Sequence, residues 1–138
     1  FISVDVETTL NGNEDIGLAH PMAPDNRAVY VGISDSKGCA HVFETSHEAG
    51  TGLAEVAIQG YVPYSVFCGH NFSFDMLYLF RLSPKFKNII QKSKVWDTQL
   101  AEYLLTGQRA KFSSLDELAT KYGFPLKDDT IKKYFENN

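Results

Sequence analysis

The chain has 138 residues, of which 43% are hydrophobic and 13% aromatic, so it is long and apolar enough to fold as one domain around a core. No apolar run approaches the roughly 18 residues of a membrane span, so no membrane partner is expected. Cys39 and Cys68 follow no metal-binding spacing and are not expected to form a disulfide, which favours a reducing, intracellular and cytoplasmic setting. The net charge of −4 combines 17 acids and 13 bases and is unevenly distributed, because acids predominate in residues 1–74 and bases in residues 75–138.

Three strands are predicted in the first third of the chain, because β-branched and aromatic residues dominate segments 1–7, 28–34 and 39–44. Residues 35–38 form a tight turn, so the second and third strands are predicted to form a hairpin. The connection 11–27 between the first two strands is long for a compact domain, and loops of this length are often functional.

Strands and helices alternate in the rest of the chain. This order predicts an α/β fold with a mixed central sheet and helices on its faces. Apolar periodicity and capping residues, including a capping box at Ser114 and a stop at Gly123, support the helices. The predicted strands are 65–68 and 94–96, and the predicted helices are 46–60, 72–82, 98–105, 115–122 and 128–136.

Asp5 and Glu7 are the most informative residues of the first strand. The side-chain period of a strand is 2, so they share one face, while Val4 and Val6 share the other. Two neighbouring carboxylates repel each other unless a cation lies between them, and carboxylate oxygens are preferred ligands of Mg²⁺ and Mn²⁺. The alternative is a half-exposed strand that carries two solvated acids.

A second polar group follows the predicted strand 65–68. Asn71 lies where a helix N-cap belongs, and Asp75 lies in the first turn, where the helix dipole favours negative charge. Both residues therefore have a purely structural interpretation. Together with the first-strand pair, however, Asp75 predicts carboxylates that converge at one edge of the sheet and bind divalent metal.

These residues carry a family resemblance. Asp5-Val-Glu-Thr8 resembles the first motif, and Asn71-Phe-Ser-Phe-Asp75 the second motif, of the DEDD 3′–5′ exonucleases. Trp96–Leu105 and Ser114–Ala119 resemble the two helices that follow in the branch containing ribonuclease D and the proofreading domains of family A DNA polymerases. The resemblance implies a ribonuclease H-like fold: a mixed central sheet, an antiparallel first three strands, and helices on both faces.

The resemblance also implies roles for individual residues. In a two-metal mechanism, two Mg²⁺ or Mn²⁺ ions roughly 4 Å apart hold the attacking water and the leaving 3′ oxygen in line. Asp5, Glu7 and Asp75 are implied as catalytic metal ligands. Three further residues are implied as substrate contacts: Thr8, Leu10 and Asn71. The alternative for Leu10 is a place in the core.

The third motif of the family, Tyr-x-x-x-Asp or His-x-x-x-x-Asp, has no convincing match. Tyr134–Asn138 ends in Asn rather than Asp, and Asp97 is interpreted as the cap of the helix that begins at Thr98, not as the fourth carboxylate. We therefore expect residues 1–138 to be a single exonuclease-like domain that is truncated before this motif and is nearly inactive alone.

The predicted function is a metal-dependent 3′–5′ exonuclease of the proofreading type that hydrolyses single-stranded DNA, with a polymerase domain as a candidate partner in the same native polypeptide. A ribonuclease D-like exoribonuclease and an inactive nucleic-acid-binding or polymerase-docking domain are the alternatives. Segment 76–96 has no acid, and its bases are interspersed with Tyr78, Phe80 and Phe86, which fits a single-strand-binding surface. The alternatives are a solvated connection for the basic stretch and a place in the core for Tyr78 and Phe80. The bases of the segment are Arg81, Lys85, Lys87, Lys92 and Lys94.

Overall fold

A computed structural model describes residues 1–61 and 65–128. The described residues form an α/β fold with a five-stranded mixed sheet, and none of their helices is long and apolar enough to cross a membrane. The chain divides into two compact units, Phe1–Thr98 and Gln99–Asn138. In chain order the elements are β1 (Ile2–Thr8), β2 (Ala28–Asp35), β3 (Ala40–Glu44), α1 (Glu48–Gly60), β4 (Val66–Gly69), α2 (Phe72–Leu82), α3 (Pro84–Gln91), β5 (Lys94–Asp97), α4 (Thr98–Leu105) and α5 (Leu115–Tyr122).

The strands lie in the order β3-β2-β1-β4-β5. Strand β2 pairs antiparallel with both β1 and β3, whereas β4 pairs parallel with both β1 and β5. The carboxyl ends of β1, β4 and β5 therefore meet at one edge of the sheet. In open α/β sheets, ligands bind at this edge, next to the strand at which the chain reverses its direction across the sheet. Here that strand is β1.

Strand β1 divides its side chains between a buried and an exposed face. Ile2, Val4 and Val6 are buried and belong to one core cluster with residues of α1, α2 and α3, whereas Asp5 and Glu7 are exposed. Burying an aliphatic side chain of this size stabilises the fold by about 1.5–3 kcal/mol. The core therefore fixes the strand so that both carboxylates face away from it, as the alternating pattern predicted.

Helix α3 was not predicted. Ser83 ends α2 and also begins α3, because its hydroxyl accepts a hydrogen bond from the backbone N–H of Lys85, and Pro84 occupies the first turn. The helix buries Phe86 completely in the core. Tyr78 is buried there too, so the interpretation of these two aromatics as a surface for stacking bases is wrong.

The second unit contains α4 after Thr98, together with α5. The predicted capping box of α5 is confirmed: the Ser114 hydroxyl accepts from the backbone N–H of Glu117, and the Glu117 carboxylate accepts from the backbone N–H of Ser114. Gly123 ends the helix with a positive φ of 73°, a conformation that favours glycine. The predicted helix 128–136 lies almost entirely outside the described residues.

A candidate metal centre at the carboxyl edge of the sheet

Asp5 and Glu7 lie on the exposed face of β1, close to the end of the strand. The regular pairing with β2 breaks immediately after them, because Glu7 is opposite Tyr30 but Thr8 is opposite Ala28. One extra residue of β2 is thus accommodated as a bulge. Bulges bend a strand and redirect its side chains, and they are common next to active sites.

Asp75 comes from the first turn of α2 and is only 4% exposed. Its Oδ1 accepts a hydrogen bond from the backbone N–H of Val6 at 2.8 Å. This contact is available because the parallel pairing between β1 and β4 includes only Ile2 and Ser3 of β1. After Ser3, where β4 no longer pairs with β1, the Asp75 carboxylate serves as the acceptor for the backbone N–H of Val6. Two motifs 69 residues apart are thus held together by a specific contact.

The environment of Asp75 disfavours its charged form. Burial raises its pKa from the ordinary value of 3.8 to about 7, and the nearby negative charges of Asp5 and Asp97 act in the same direction, against the stabilising hydrogen bond from Val6. A divalent cation beside Asp5 and Asp75 would offset this repulsion. Carboxylates that are costly to ionise are typical of functional sites.

Asp97, at the carboxyl end of β5, holds the start of α2. Its two carboxylate oxygens accept from the backbone N–H groups of Asn71 at 3.1 Å and Phe72 at 2.8 Å. The sequence had assigned Asp97 to the start of α4, which stays a prediction, and the structure shows that its carboxylate caps α2. The contact depends on two strands being adjacent, and no spacing in the sequence signals it.

Asn71 is in the left-handed backbone conformation, with φ of 55°, and its side chain makes no capping hydrogen bond to α2. The predicted side-chain cap is therefore wrong: a capping side chain accepts from the second or third helical amide and its residue has an extended backbone, whereas the backbone of Asn71 is left-handed. The Asn71 side chain is exposed at the helix start. Non-glycine residues with positive φ are uncommon and occur repeatedly at functional sites.

The other predicted substrate contacts lie at the same end of β1. Thr8 is half-buried at the bulge, and Leu10 is 62% exposed, so the alternative that placed Leu10 in the core is wrong. The roles of Thr8, Leu10 and Asn71 in binding a nucleotide stay predictions. Asn26, which the sequence did not single out, is 1% exposed and bonds across the loop that follows Leu10.

The predicted carboxylates do not form a ready-made metal cage. Among residues 1–61 and 65–128, no three His, Cys, Asp or Glu side chains lie close enough together to hold one metal ion. The donors nevertheless have the right chemistry: Asp5 lies near enough to raise the pKa of Asp75, and Glu7 shares its strand face. The metal site stays a prediction, in which a bound ion would draw these oxygens closer together.

The basic segment is less available to a polyanion than its composition indicates. Lys85 forms an ion pair of 2.8 Å with Glu55, and the Arg81 guanidinium donates to backbone carbonyl groups. Lys87, Lys92 and Lys94 are exposed. These three lysines are therefore the better candidates for contacts with phosphates.

The chain matches no protein-family model and no curated protein.

Proposed function

We propose that this chain carries the metal-binding part of a 3′–5′ exonuclease that hydrolyses the terminal phosphodiester of single-stranded DNA. The observation that carries the proposal is the contact between Asp75 and the backbone of Val6, which brings the second-motif carboxylate to the strand that bears Asp5 and Glu7. The three residues are the proposed catalytic carboxylates, and all belong to the first compact unit.

The arrangement of the strands supports a ribonuclease H-like assignment. The antiparallel ladder β1-β2-β3 continues on the other side of β1 into the parallel strands β4 and β5. In this arrangement the proposed centre would lie beside the central strand β1, at the carboxyl ends of the parallel strands. The contacts of the first unit describe one core, which contains residues of α1, α2 and α3. The presence of helices on both faces of the sheet is therefore part of the proposal.

The residues have distinct proposed tasks. The exposed carboxylates of Asp5 and Glu7 would face the substrate side of the centre, whereas the buried Asp75 would complete the site from below. When bound, two Mg²⁺ or Mn²⁺ ions would activate a water molecule and stabilise the leaving 3′ oxygen. The burial of Asp75 keeps one carboxylate in a fixed position and limits its access to water.

The second candidate is a catalytically inactive domain that binds nucleic acid or docks a polymerase. Two observations favour it: no group of three ligands is preformed in the described residues, and the third motif has no convincing match in the sequence. The buried Asp75 argues against it, since its ionised form is disfavoured and destabilises the fold at neutral pH, a cost that a bound divalent cation would offset.

The test is digestion of single-stranded DNA labelled at its 5′ end, in the presence of Mn²⁺ and with the chain in large excess over DNA, because residues 1–138 are expected to be nearly inactive alone. We expect products that shorten one nucleotide at a time, and no digestion when the 3′ hydroxyl is blocked. Asp5→Asn should abolish the ladder, whereas Asp15→Asn, which removes an exposed acid from a loop, should not. Digestion of RNA alone would favour the exoribonuclease, and binding of DNA without any digestion would favour the inactive domain.

A further inference from the structure

The loop between β1 and β2 (residues 9–27) is closed at its base. It begins two residues after Glu7. The backbone N–H of Thr9 donates to the carbonyl oxygen of Arg27 at 3.0 Å, and the backbone N–H of Arg27 donates to the Thr9 hydroxyl at 3.0 Å. The path of the loop therefore depends directly on the end of the strand that carries the proposed metal ligands.

Asn26 fixes the interior of the loop. Its Oδ1 accepts from the backbone N–H of Asn11 at 2.6 Å, and its Nδ2 donates to the carbonyl oxygens of Leu18 at 2.8 Å and His20 at 3.1 Å. A fully buried amide with these three partners holds distant parts of the loop together. The described geometry is that of a structured segment attached beside the proposed centre.

Helix α2 anchors the far side of the same loop. The Arg81 guanidinium donates to three loop carbonyl groups: that of Pro21, that of Ala23 at 3.1 Å, and that of Pro24 at 3.2 Å. One turn earlier, the Tyr78 hydroxyl donates to the carbonyl oxygen of Ala19 at 2.7 Å. The planar guanidinium of arginine carries several N–H donors in a fixed arrangement and can bond several fixed acceptors at once, whereas the single ammonium group of lysine cannot.

We propose that Arg81 is a positioning residue for the candidate metal centre and not a ligand for substrate phosphates. Helix α2 then supports the centre in two places: Asp75 contacts β1 at Val6, and Arg81 holds the loop that continues from Glu7. The anchoring itself is independent of any activity, whereas its consequence for catalysis rests on the proposed function.

The first arm of the test measures amide hydrogen exchange and needs no activity. Gly12, Ala23 and Asn26 donate backbone hydrogen bonds within the loop. In Arg81→Ala their amides should exchange at least about tenfold faster. Arg81→Lys should behave like Arg81→Ala, because it keeps the charge but loses the planar set of donors. Loop amides that stay protected in both variants would overturn the proposal.

The second arm separates positioning from phosphate binding. At a temperature where every variant is folded, Arg81→Lys should lower kcat for single-stranded DNA at least about tenfold, since small displacements of catalytic groups are costly. The dependence of its KM on salt should stay that of the wild type. Lys87→Ala, which removes an exposed charge that is a candidate phosphate contact, should flatten the salt dependence of KM.

If Arg81→Lys keeps the wild-type kcat and only Arg81→Ala shows a raised KM, Arg81 is a phosphate ligand and the proposal is overturned. A wild-type chain that digests no substrate, even in large excess over DNA, would refute the proposed function. The exchange experiment would still decide, in that case, whether Arg81 anchors the loop.

Discussion

Replacing Asp75 by Asn should make the metal-free protein more stable at alkaline pH. The substitution keeps the size of the side chain and an oxygen that can accept from the backbone N–H of Val6. It removes the charge that burial and the neighbouring Asp5 disfavour. The gain should therefore be absent where Asp75 is protonated in both folded and unfolded chains, and should grow as the pH rises.

The size of the effect follows from the pKa of Asp75, which rises from 3.8 to about 7 on folding. Because the folded chain holds this proton more tightly, the stabilising contribution of the protonated carboxyl is fully present below pH 3.8 and is lost as the pH rises through about 7. At about 1.4 kcal/mol for each pKa unit, the loss is roughly 4 kcal/mol by pH 8.

The assay is urea unfolding at several pH values between 4 and 8, with a chelator present. The stability advantage of Asp75→Asn over the wild type should increase by roughly 2–4 kcal/mol across this range. Asp15→Asn removes an exposed loop carboxylate, and its stability curve should run parallel to that of the wild type. An advantage of Asp75→Asn that does not change with pH would refute the buried, disfavoured carboxylate on which the candidate centre depends.

Three further substitutions test the surrounding frame. Asp97→Ala should lower the free energy of unfolding by about 1–3 kcal/mol in urea, because two amide groups at the start of α2 lose their acceptor. Gly50→Ala should lower the melting temperature, because a Cβ there would lie 1.7 Å from the backbone oxygen of Glu44, whereas Gly52→Ala, with open space around it, should raise it slightly. Glu102→Gln should destabilise the second unit more at pH 7 than at pH 4, since hydrogen bonds from Lys121 and Tyr122 lower the pKa of this carboxyl.

Each of these predictions has a clear contrary result. A wild-type free energy of unfolding in Asp97→Ala would contradict the role of Asp97 as the cap of α2. Equal melting temperatures for the two glycine variants would contradict the close approach of α1 to the end of β3. A pH-independent effect of Glu102→Gln on thermal unfolding would contradict its role as an ionised acceptor.

Local signals in the sequence were sufficient for most of the secondary structure. The alternation of β1 placed Asp5 and Glu7 on one face, and the capping box at Ser114 located the start of α5, because both patterns depend on residues within one element. Helix α3 was missed: it has eight residues, begins with Pro84, and makes its apolar contribution through few buried side chains, including Phe86. A short helix of this kind is stabilised by packing and carries little local signal.

The candidate site was only partly predictable, because its contacts join distant segments. The motif at Asp75 was visible, but its hydrogen bond to Val6 depends on where the parallel pairing of β1 and β4 ends. Asp97 and Arg81 were assigned from their nearest neighbours and from charge. Their partners lie 25–26 and 57–60 residues away, respectively, and become apparent only when the strands and the loop are assembled.

The most direct test of the central claim is to locate Mn²⁺ on the folded protein. Paramagnetic Mn²⁺ broadens the NMR signals of nearby amides, so substoichiometric Mn²⁺ added to the isotope-labelled chain reports its own binding site. We predict that the amide signals of Asp5, Val6, Glu7 and Asp75 broaden first, and that Asp5→Asn removes the effect. Broadening confined to other acids, or none at millimolar Mn²⁺, would contradict a metal centre at the carboxyl edge of the sheet.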